Sequence, residues 1–384
     1  MKLPKNKGKK YMNMTLYLTM DCNLACTYCY QSDNKSSCED AFCKGKTITK
    51  ETARAAVDLS VKKGDDRTGI CFFGGEPLLC KDVLYDLMEY CEKIAKTGHK
   101  FSFKLVTNGL LLDENFMRFA NENKIMVALS HDGLMQDDCR LTKDKKGTFD
   151  TLSPKIDLLL KYQPDSVVLV TVDPSCAEKL SESVKYLFNK GFKNVAITPR
   201  YAEICPWDDD SFSVLSDEFE KLSEIYVEKT LSGDDFTLAT FDVKIRDYIT
   251  GGKRVGKGCR LGEKQVCIMP DGKIYPCQQF IEDEYFMGDV YSGIIKEKLD
   301  YIKEIRKPTP VVCDDCGLKE RCRYSCACLN KQCTGNIGEI SPFQCSFERL
   351  QISCADKAAE ILYKKGNTKF LKKQYGEFYN LIEI

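Results

Sequence analysis

Three closely spaced cysteines near the N-terminus constrain this chain more than any other feature of its sequence. Cys22, Cys26 and Cys29 lie in the segment CNLACTYC, directly after an apolar stretch at 14–20 that predicts a strand. The spacing puts three thiols on one loop. A structural zinc site or cluster normally has four protein ligands, whereas three leave one position for a small molecule. The motif therefore predicts a metal centre that also binds a ligand.

The whole chain is rich in cysteine and poor in histidine, with 22 cysteines and 2 histidines among 384 residues. Any extensive metal site must therefore consist mostly of thiolates, which favour zinc or iron–sulfur clusters. In a reducing compartment, close-spaced cysteines bind metals more often than they form disulfides. Composition leaves zinc and iron–sulfur both open.

The charge and hydropathy patterns exclude several kinds of partner. Lys and Arg number 57, as do Asp and Glu, so no strong field favours nucleic acid or an anionic membrane. No apolar run approaches the roughly 20 residues of a membrane span. The basic N-terminus leads into a short strand rather than into the apolar core of a signal peptide. We expect a cytoplasmic protein that binds neither nucleic acid nor membrane.

Short apolar strands alternate with amphipathic helices through the first half of the chain. This order predicts an α/β fold with a parallel sheet and helical crossovers, as an open sheet or a partial barrel, with the chemistry at the C-terminal strand ends. The predicted strands are 14–20, 69–73, 101–106, 125–129, 166–172 and 195–198, and the predicted helices are 49–63 (with Gly64 as a cap), 82–96, 114–123, 152–162 and 178–190.

The second half of the chain changes character twice. Residues 201–257 are mostly helical in pattern, and eleven of the 22 cysteines lie between Cys259 and Cys354. That cysteine-rich part has too little apolar sequence for a core of its own, so we expect metal to hold it together. The predicted domains are an N-terminal extension (1–13), the α/β domain (14–205), a helical linker (206–257), the cysteine-rich domain (258–355) and a helical tail (356–384).

Polar and glycine-rich segments follow the predicted strands of the first half. They read FFGGEP at 72–77, TNG at 107–109 and SHDG at 130–133, with Arg140 shortly before GTF at 147–149. Together with the spacing of the three cysteines and the aromatic residue before the third, these segments resemble the signature of the radical SAM superfamily. The resemblance covers about residues 14–200.

The resemblance implies a partial (β/α)6 TIM-type barrel and a 4Fe–4S cluster held by Cys22, Cys26 and Cys29. S-adenosylmethionine (SAM) would bind the fourth iron and be cleaved reductively to a 5′-deoxyadenosyl radical. The GGEP segment would contact the SAM amino group, and the later segments its ribose and carboxylate. The residues so implied in SAM binding are Tyr28, Gly74, Gly75, Glu76, Thr107, Asn108, Ser130, Asp132 and Arg140.

The C-terminal cysteines form a tight run with outlying members, which suggests two interleaved metal sites, and zinc ribbons are the structural alternative. The arrangement resembles the SPASM domain, a small Cys-rich domain that holds two auxiliary 4Fe–4S clusters after many radical SAM barrels. The resemblance assigns Cys259, Cys277 and Cys326 to the first auxiliary cluster. Either Cys267 is its fourth ligand, or one iron stays open and can bind a substrate thiolate. The second auxiliary cluster would have Cys313, Cys316, Cys322 and Cys345 as ligands, which brings the total to three clusters.

The other cysteines are predicted to be mostly buried packing residues, since free cysteine behaves as a small apolar side chain. Cys328, Cys333 and Cys354 are alternative cluster ligands. The remaining ones are Cys38, Cys43, Cys71, Cys80, Cys91, Cys139, Cys176 and Cys205.

The resemblance implies a peptide or protein substrate, and two positions help to choose the reaction. Sulfatase maturases carry an aspartate after the cysteine that matches Cys277, where this chain has Gln278, and a glutamine where it has Phe73. An amide cannot act as a general base near neutral pH. The segments YPCQQF at 275–280 and MGDV at 287–290 look more like those of maturases that form cysteine thioethers in ribosomally made peptides, which is our leading prediction.

Several alternatives stay open. They are formylglycine formation on sulfatases, carbon–carbon crosslinking or epimerisation of peptides, and, in a different class, a non-catalytic Cys-rich metal-binding protein. The expected electron donor is a flavodoxin or ferredoxin. Barely a dozen residues precede the first strand, so we expect a separate protein, or the helical stretch after residue 200, to capture a leader peptide.

Overall fold

The computed structural model describes residues 11–30, 47–62, 67–252, 260–306 and 310–376. The strands are β1 (Tyr11–Thr19), β2 (Arg67–Gly74), β3 (Lys100–Thr107), β4 (Ile125–Ser130), β5 (Val167–Val172), β6 (Asn194–Pro199), β7 (Thr237–Leu238), β8 (Gln265–Ile268), β9 (Lys273–Tyr275), β10 (Gly288–Asp289) and β11 (Gly293–Ile294). The helices are α1 (Lys50–Lys62), α2 (Lys81–Ala95), α3 (Glu114–Glu122), α4 (Gln136–Cys139), α5 (Phe149–Tyr162), α6 (Leu180–Asn189), α7 (Asp209–Leu231), α8 (Ala239–Ile249), α9 (Lys296–Ile305), α10 (Ala327–Thr334), α11 (Pro342–Lys364) and α12 (Thr368–Tyr375).

The predicted alternation of strands and helices through β6 is confirmed, with bounds that differ by a few residues. The predicted cap Gly64 lies outside the described residues. The contacts between residues divide the chain into two compact units. The first contains the described residues of 1–23, 29–128 and 259–306, and the second those of 24–28, 129–258 and 307–384. The domain boundaries given above stay a prediction.

The sheet of the first unit has the strand order β11-β10-β9-β8-β1-β2-β3-β4. β1 lies parallel to both β2 and β8, so that Thr15 is opposite Cys71 on one side and opposite Cys267 on the other. Side chains alternate between the two faces of a strand. One face carries apolar residues such as Met14, Leu16 and Phe72, all buried. We call the opposite face, which carries Thr15, the inner face.

Helices α1 and α2 cover the apolar face of this sheet. α1 contacts β2 and α2 contacts β3, and each helix buries an apolar stripe that includes Ala53 and Val57 on α1 and Leu84 on α2. Burial of such stripes removes apolar surface from water, which stabilises the unit. The helices therefore leave the inner face and the strand ends as the places for polar chemistry.

The second unit joins the strands β5, β6 and β7 to a set of long helices. β5 and β6 are parallel, with Val168 opposite Val195. α11 packs against both α7 and α8, where Phe219, Phe241 and Phe347 meet edge to face. None of the helices in the described part of the chain is long and apolar enough to cross a membrane.

Candidate active site

The cysteine loop starts at the end of β1, where its backbone is hydrogen-bonded to the backbone of the GGEP segment. Gly75 N donates to Thr19 O at 2.9 Å, and Glu76 N donates to Asp21 O at 2.8 Å. A Cβ at Gly75 would lie 2.1 Å from Asp21 O, so no other residue fits there without moving the loop. The GGEP segment thus holds the residue that precedes Cys22.

Glu76 joins the GGEP and TNG segments inside the first unit. Its fully buried carboxylate accepts hydrogen bonds from Thr107 Oγ1 at 2.7 Å, from Asn108 N at 2.8 Å and from Leu78 N at 3.0 Å. Burial raises the pKa of Glu76, and these donors counteract the rise. The carboxylate therefore positions both segments relative to each other.

Asn108 faces the first cysteine. Its Nδ2 donates to Asn23 Oδ1 at 2.7 Å and lies 3.8 Å from Cys22 Sγ. An amide hydrogen directed at a metal-ligating sulfur stabilises the thiolate and tunes the potential of a cluster. The structure thus gives Asn108 a role next to the cysteine loop as well as the predicted one towards SAM.

Residues 24–28 of the cysteine loop belong to the second unit. There, their backbone is hydrogen-bonded to the residues on either side of Arg140. Ala25 N donates to Leu141 O at 2.8 Å, and Thr27 N donates to Cys139 O at 2.9 Å. Main-chain bonds of this kind carry no side-chain signal, and sequence reasoning missed them. They fix the place of Cys26 relative to Arg140.

Asp132 is the centre of a buried polar cluster in the second unit. Its Oδ2 accepts hydrogen bonds from the Tyr28 hydroxyl and from Arg140 Nε at 2.8 Å, and its Oδ1 accepts one from Thr171 N at 2.8 Å. The Arg140 guanidinium lies 5.4 Å from the centre of the Tyr28 ring. Burial raises the pKa of Tyr28 well above its usual value; the Arg140 charge acts against this rise and the Asp132 carboxylate adds to it. The structure brings together Tyr28, Asp132 and Arg140, whereas Ser130 lies half-buried at the end of β4.

His131 was not among the predicted site residues, although it lies between Ser130 and Asp132. It is fully buried, and its Nδ1 accepts a hydrogen bond from Gly133 N at 2.9 Å. Burial, with a smaller effect of Arg140, lowers the pKa of His131 to about 3. The ring is therefore neutral, with its hydrogen on Nε2.

We expect His131 to make the stability of the protein depend on pH. Between pH 3 and 6.5 the unfolded chain binds a proton at this histidine and the folded chain does not, so stability falls as the pH decreases. From pH 7.5 to 6.0 the wild type should lose about 0.8 kcal/mol more than His131→Asn, which keeps an acceptor for Gly133. Denaturation midpoints at both pH values test this; equal losses in the two proteins would contradict it.

The four cysteines predicted for the second auxiliary cluster line one pocket in the second unit. They are Cys313, Cys316, Cys322 and Cys345. Arg349 Nη2 lies 4.0 Å from Cys316 Sγ, and Glu348 lies on the pocket wall in a buried ion pair with Lys244 at 2.6 Å. Four thiols around one pocket are the donor set that a 4Fe–4S cluster needs.

The cysteines predicted for the first auxiliary cluster fall in both units. Cys267 and Cys277 are in the first unit, Cys326 is in the second, and Cys259 lies outside the described residues. A hydrogen bond from Cys328 lowers the pKa of Cys326 to about 6. Within the described ranges, no group of three or more histidine, cysteine, aspartate or glutamate side chains is placed to hold a single metal ion.

The other cysteines mostly pack. Cys80, Cys91 and Cys354 are buried, as are Cys139 and Cys176, whose sulfur atoms are 3.8 Å apart. In contrast, Cys205 is exposed. Cys38 and Cys43 lie outside the described residues, and Cys333 is half-buried.

Comparison with known proteins agrees with the family resemblance described in the sequence analysis. Residues 16–199 match the model of the radical SAM superfamily. A cysteine-type anaerobic sulfatase-maturating enzyme of Clostridium perfringens strain 13 is 25% identical over 334 residues, which is 80% of this chain and 84% of that protein. The mycofactocin maturase MftC of Mycolicibacterium smegmatis is 24% identical over 326 residues, which is 82% of this chain and 77% of that protein.

Two solved structures share the fold. Native anSMEcpe with bound AdoMet and Cp18Cys peptide has a TM-score of 0.77 at 20% identity and covers 92% of this chain and 99% of its own. Streptococcus suis SuiB bound to the precursor peptide SuiA has a TM-score of 0.57 at 16% identity and covers 83% and 72%. The three thiols of the loop at 22–29 fit the 4Fe–4S cluster that the superfamily implies. With its radical SAM domain at residues 16–199, the chain is a radical SAM enzyme, homologous to sulfatase maturases and peptide-modifying enzymes.

Proposed function

We propose that this enzyme forms thioether bonds in a ribosomally made, cysteine-containing peptide. The observation that carries the proposal is the chemistry of the inner face of the first unit's sheet. Strand alternation and register place the following residues on that face: Asn13, Thr15 and Tyr17 of β1; Gly69, Cys71 and Phe73 of β2; Ser102, Lys104 and Val106 of β3; and Gln265 and Cys267 of β8.

None of these positions on the four described strands carries a carboxylate. The residue after Cys277 is Gln278, which is half-buried, and an amide does not take up a proton near neutral pH. These positions instead offer the thiols of Cys71 and Cys267, the ammonium group of Lys104 and the apolar ring of Phe73. Oxidation of a substrate side chain that needs a carboxylate base is therefore disfavoured, and joining a sulfur to a carbon is favoured.

Different residues of this chain would bind the cluster and SAM. We propose that Cys22, Cys26 and Cys29 hold the cluster and that the strand-end residues described above, including Arg140 in its pair with Asp132, hold SAM. When bound, the cluster and SAM supply a 5′-deoxyadenosyl radical by one-electron cleavage of a carbon–sulfur bond. The peptide carbon loses a hydrogen atom, the substrate thiol loses its proton, and one electron leaves as the carbon–sulfur bond forms.

That electron needs an acceptor within the protein. The pocket lined by Cys313, Cys316, Cys322 and Cys345 supports an auxiliary cluster in this role, with Arg349 as the cation beside it. We further propose two auxiliary clusters in all, a flavodoxin or ferredoxin as electron donor, and a separate protein that binds the leader of the peptide.

Sulfatase maturation is the second candidate. It is favoured by the Clostridium perfringens relative, which aligns with 80% of this chain. The two candidates differ in product, because formylglycine is an aldehyde on one residue and a thioether links two.

Mass spectrometry of a modified peptide distinguishes them. With a leader-bearing Cys-rich peptide, reductant and SAM, we expect a loss of about 2 Da per bridge and resistance of the linked cysteines to thiol alkylation. Cys26→Ala enzyme is the control and should leave the peptide unchanged. A sulfatase-derived peptide that instead loses about 18 Da and becomes reactive towards hydrazides, with no bridged product from the Cys-rich peptide, would refute thioether formation.

A further inference from the structure

Lys244 of α8 and Glu348 of α11 form an ion pair in the interior of the second unit. Lys244 Nζ lies 2.6 Å from Glu348 Oε2, and the two side chains have only 2% and 5% exposure. The pair lies outside every cysteine motif of the sequence, because α8 belongs to the stretch predicted as a helical linker. Charges removed from water need several polar partners to offset the cost of burial. The other partners of this pair therefore show what it holds in place.

Both charged groups are hydrogen-bonded to the backbone on either side of Cys322. Lys244 Nζ donates to Arg321 O at 3.1 Å, and Arg323 N donates to Glu348 Oε2 at 2.9 Å. The Cys322 thiol is itself hydrogen-bonded to the Glu348 carboxylate. The ion pair thus fixes the residue before this cysteine, the residue after it and the cysteine side chain.

The loop that carries Cys322 has two further contacts with the same helices. The Arg321 guanidinium donates to the two oxygens of Asp356 on α11 at 2.8 and 2.5 Å, and its Nη2 also donates to Lys244 O at 3.1 Å. Gly252, three residues after the end of α8, has a φ of +66°, and a Cβ there would lie 2.3 Å from Glu320 O. Residues 320–323 are therefore held between α8 and α11 by contacts within the protein.

The ion pair also lies beside the pocket of four cysteines. Glu348 is on the pocket wall together with Cys322 and with Cys345, which is three residues earlier on α11. A carboxylate next to several thiolates is repelled by them, and the Lys244 ammonium offsets its charge. Removing either member of the pair would leave one uncompensated buried charge next to the pocket.

We propose that Lys244 and Glu348 are positioning residues for the auxiliary cluster in the pocket of four cysteines. The inference rests on the auxiliary cluster of the proposed function. The pair keeps Cys322 at the pocket wall, and its two opposite charges cancel beside the cluster. The helical stretch at 206–257 is then part of the cluster site, through Lys244, as well as a link between domains.

The reduction potential of this cluster in anaerobically reconstituted full-length protein tests the proposal. The potential of an iron–sulfur cluster depends on the net charge around it. Glu348→Gln leaves the ammonium uncompensated, so the potential should rise. Lys244→Met leaves the carboxylate uncompensated, so the potential should fall, and up to about 4 irons per chain should be lost. The double variant removes both charges, and its potential should lie between those of the single variants.

A redox titration monitored by EPR measures these shifts, and the signal that disappears in Cys345→Ala identifies the cluster. Lys357→Met and Glu220→Gln are matched controls. These two residues also form a lysine–glutamate pair at 2.6 Å, between α11 and α7, but both side chains are more than 40% exposed. Neither control should change the potential or the iron content. Formation of 5′-deoxyadenosine shows that the rest of each variant is folded.

Shifts of the same sign in Glu348→Gln and Lys244→Met, or wild-type potentials in both, would overturn the role of the ion pair and leave the proposed function standing. A wild type whose EPR signals all persist in Cys345→Ala would overturn the auxiliary cluster in this pocket, and the role of the pair with it.

Discussion

Replacing Cys26 with alanine is expected to reduce SAM cleavage to background while the irons of the auxiliary sites stay in place. The loop at 22–29 offers three thiols, and a cluster that keeps one position for SAM needs all three of them as ligands. The pocket of four cysteines in the second unit uses none of the three. Reductive assays for 5′-deoxyadenosine and iron analysis measure the two effects separately, with iron falling from about 12 to about 8 per chain.

Cys205→Ala is the matched control for that experiment, because Cys205 is an exposed cysteine of the second unit and is not a predicted ligand of any of the three clusters. It should cleave SAM at the wild-type rate. Cleavage of SAM by Cys26→Ala at that same rate would show that the cluster is not held by this loop.

The second large effect concerns stability. Asp132→Ala removes the carboxylate partner of Arg140 in a buried pair, in which Asp132 has 0% side-chain exposure and Arg140 has 9%. A buried charge left without its partner costs about 3–5 kcal/mol. The variant also leaves Thr171 N without the Asp132 acceptor. We expect a decrease of that size in the free energy of unfolding, together with weakened SAM binding.

Asp138→Ala offers a direct comparison. Asp138 is six residues further along the chain and pairs with Lys179 at 2.8 Å, but both side chains are more than a third exposed. Exposed pairs contribute about 0–1 kcal/mol. Chemical denaturation of the two variants should therefore separate them clearly, and equal destabilisation would show that burial of the Asp132 pair is not what matters.

The order of strands and helices was predictable because each element carries its own periodicity. β2 and α2, for example, were each placed within a few residues of their observed ends from apolar spacing and flanking glycines. The polar segments at strand ends were likewise visible, because parallel strands direct their C-terminal ends to one edge of a sheet.

What the sequence did not reveal are contacts between distant segments. Nothing local in GGEP shows that Glu76 is buried beneath Thr107 and Asn108 rather than directed at a ligand. The same holds for Cys71, whose neighbourhood with Cys267 depends on β8 pairing with β1. Composition gives no sign of either set of contacts, and only the folded structure shows them.

The pairing of β1 with β8 also has a consequence for biosynthesis. Thr15 and Cys267 are opposite each other although they are roughly 250 residues apart in the chain, and such long-range pairs form slowly. While the ribosome is still making the middle of the protein, β1 has β2 on one side and an unpaired edge on the other, which is a template for aggregation. The strand that leads into the cysteine loop, β1, can pair with β8 only after residue 268 has been made. Cluster insertion therefore belongs after translation, and expression yield should depend on how well the nascent chain is protected until then.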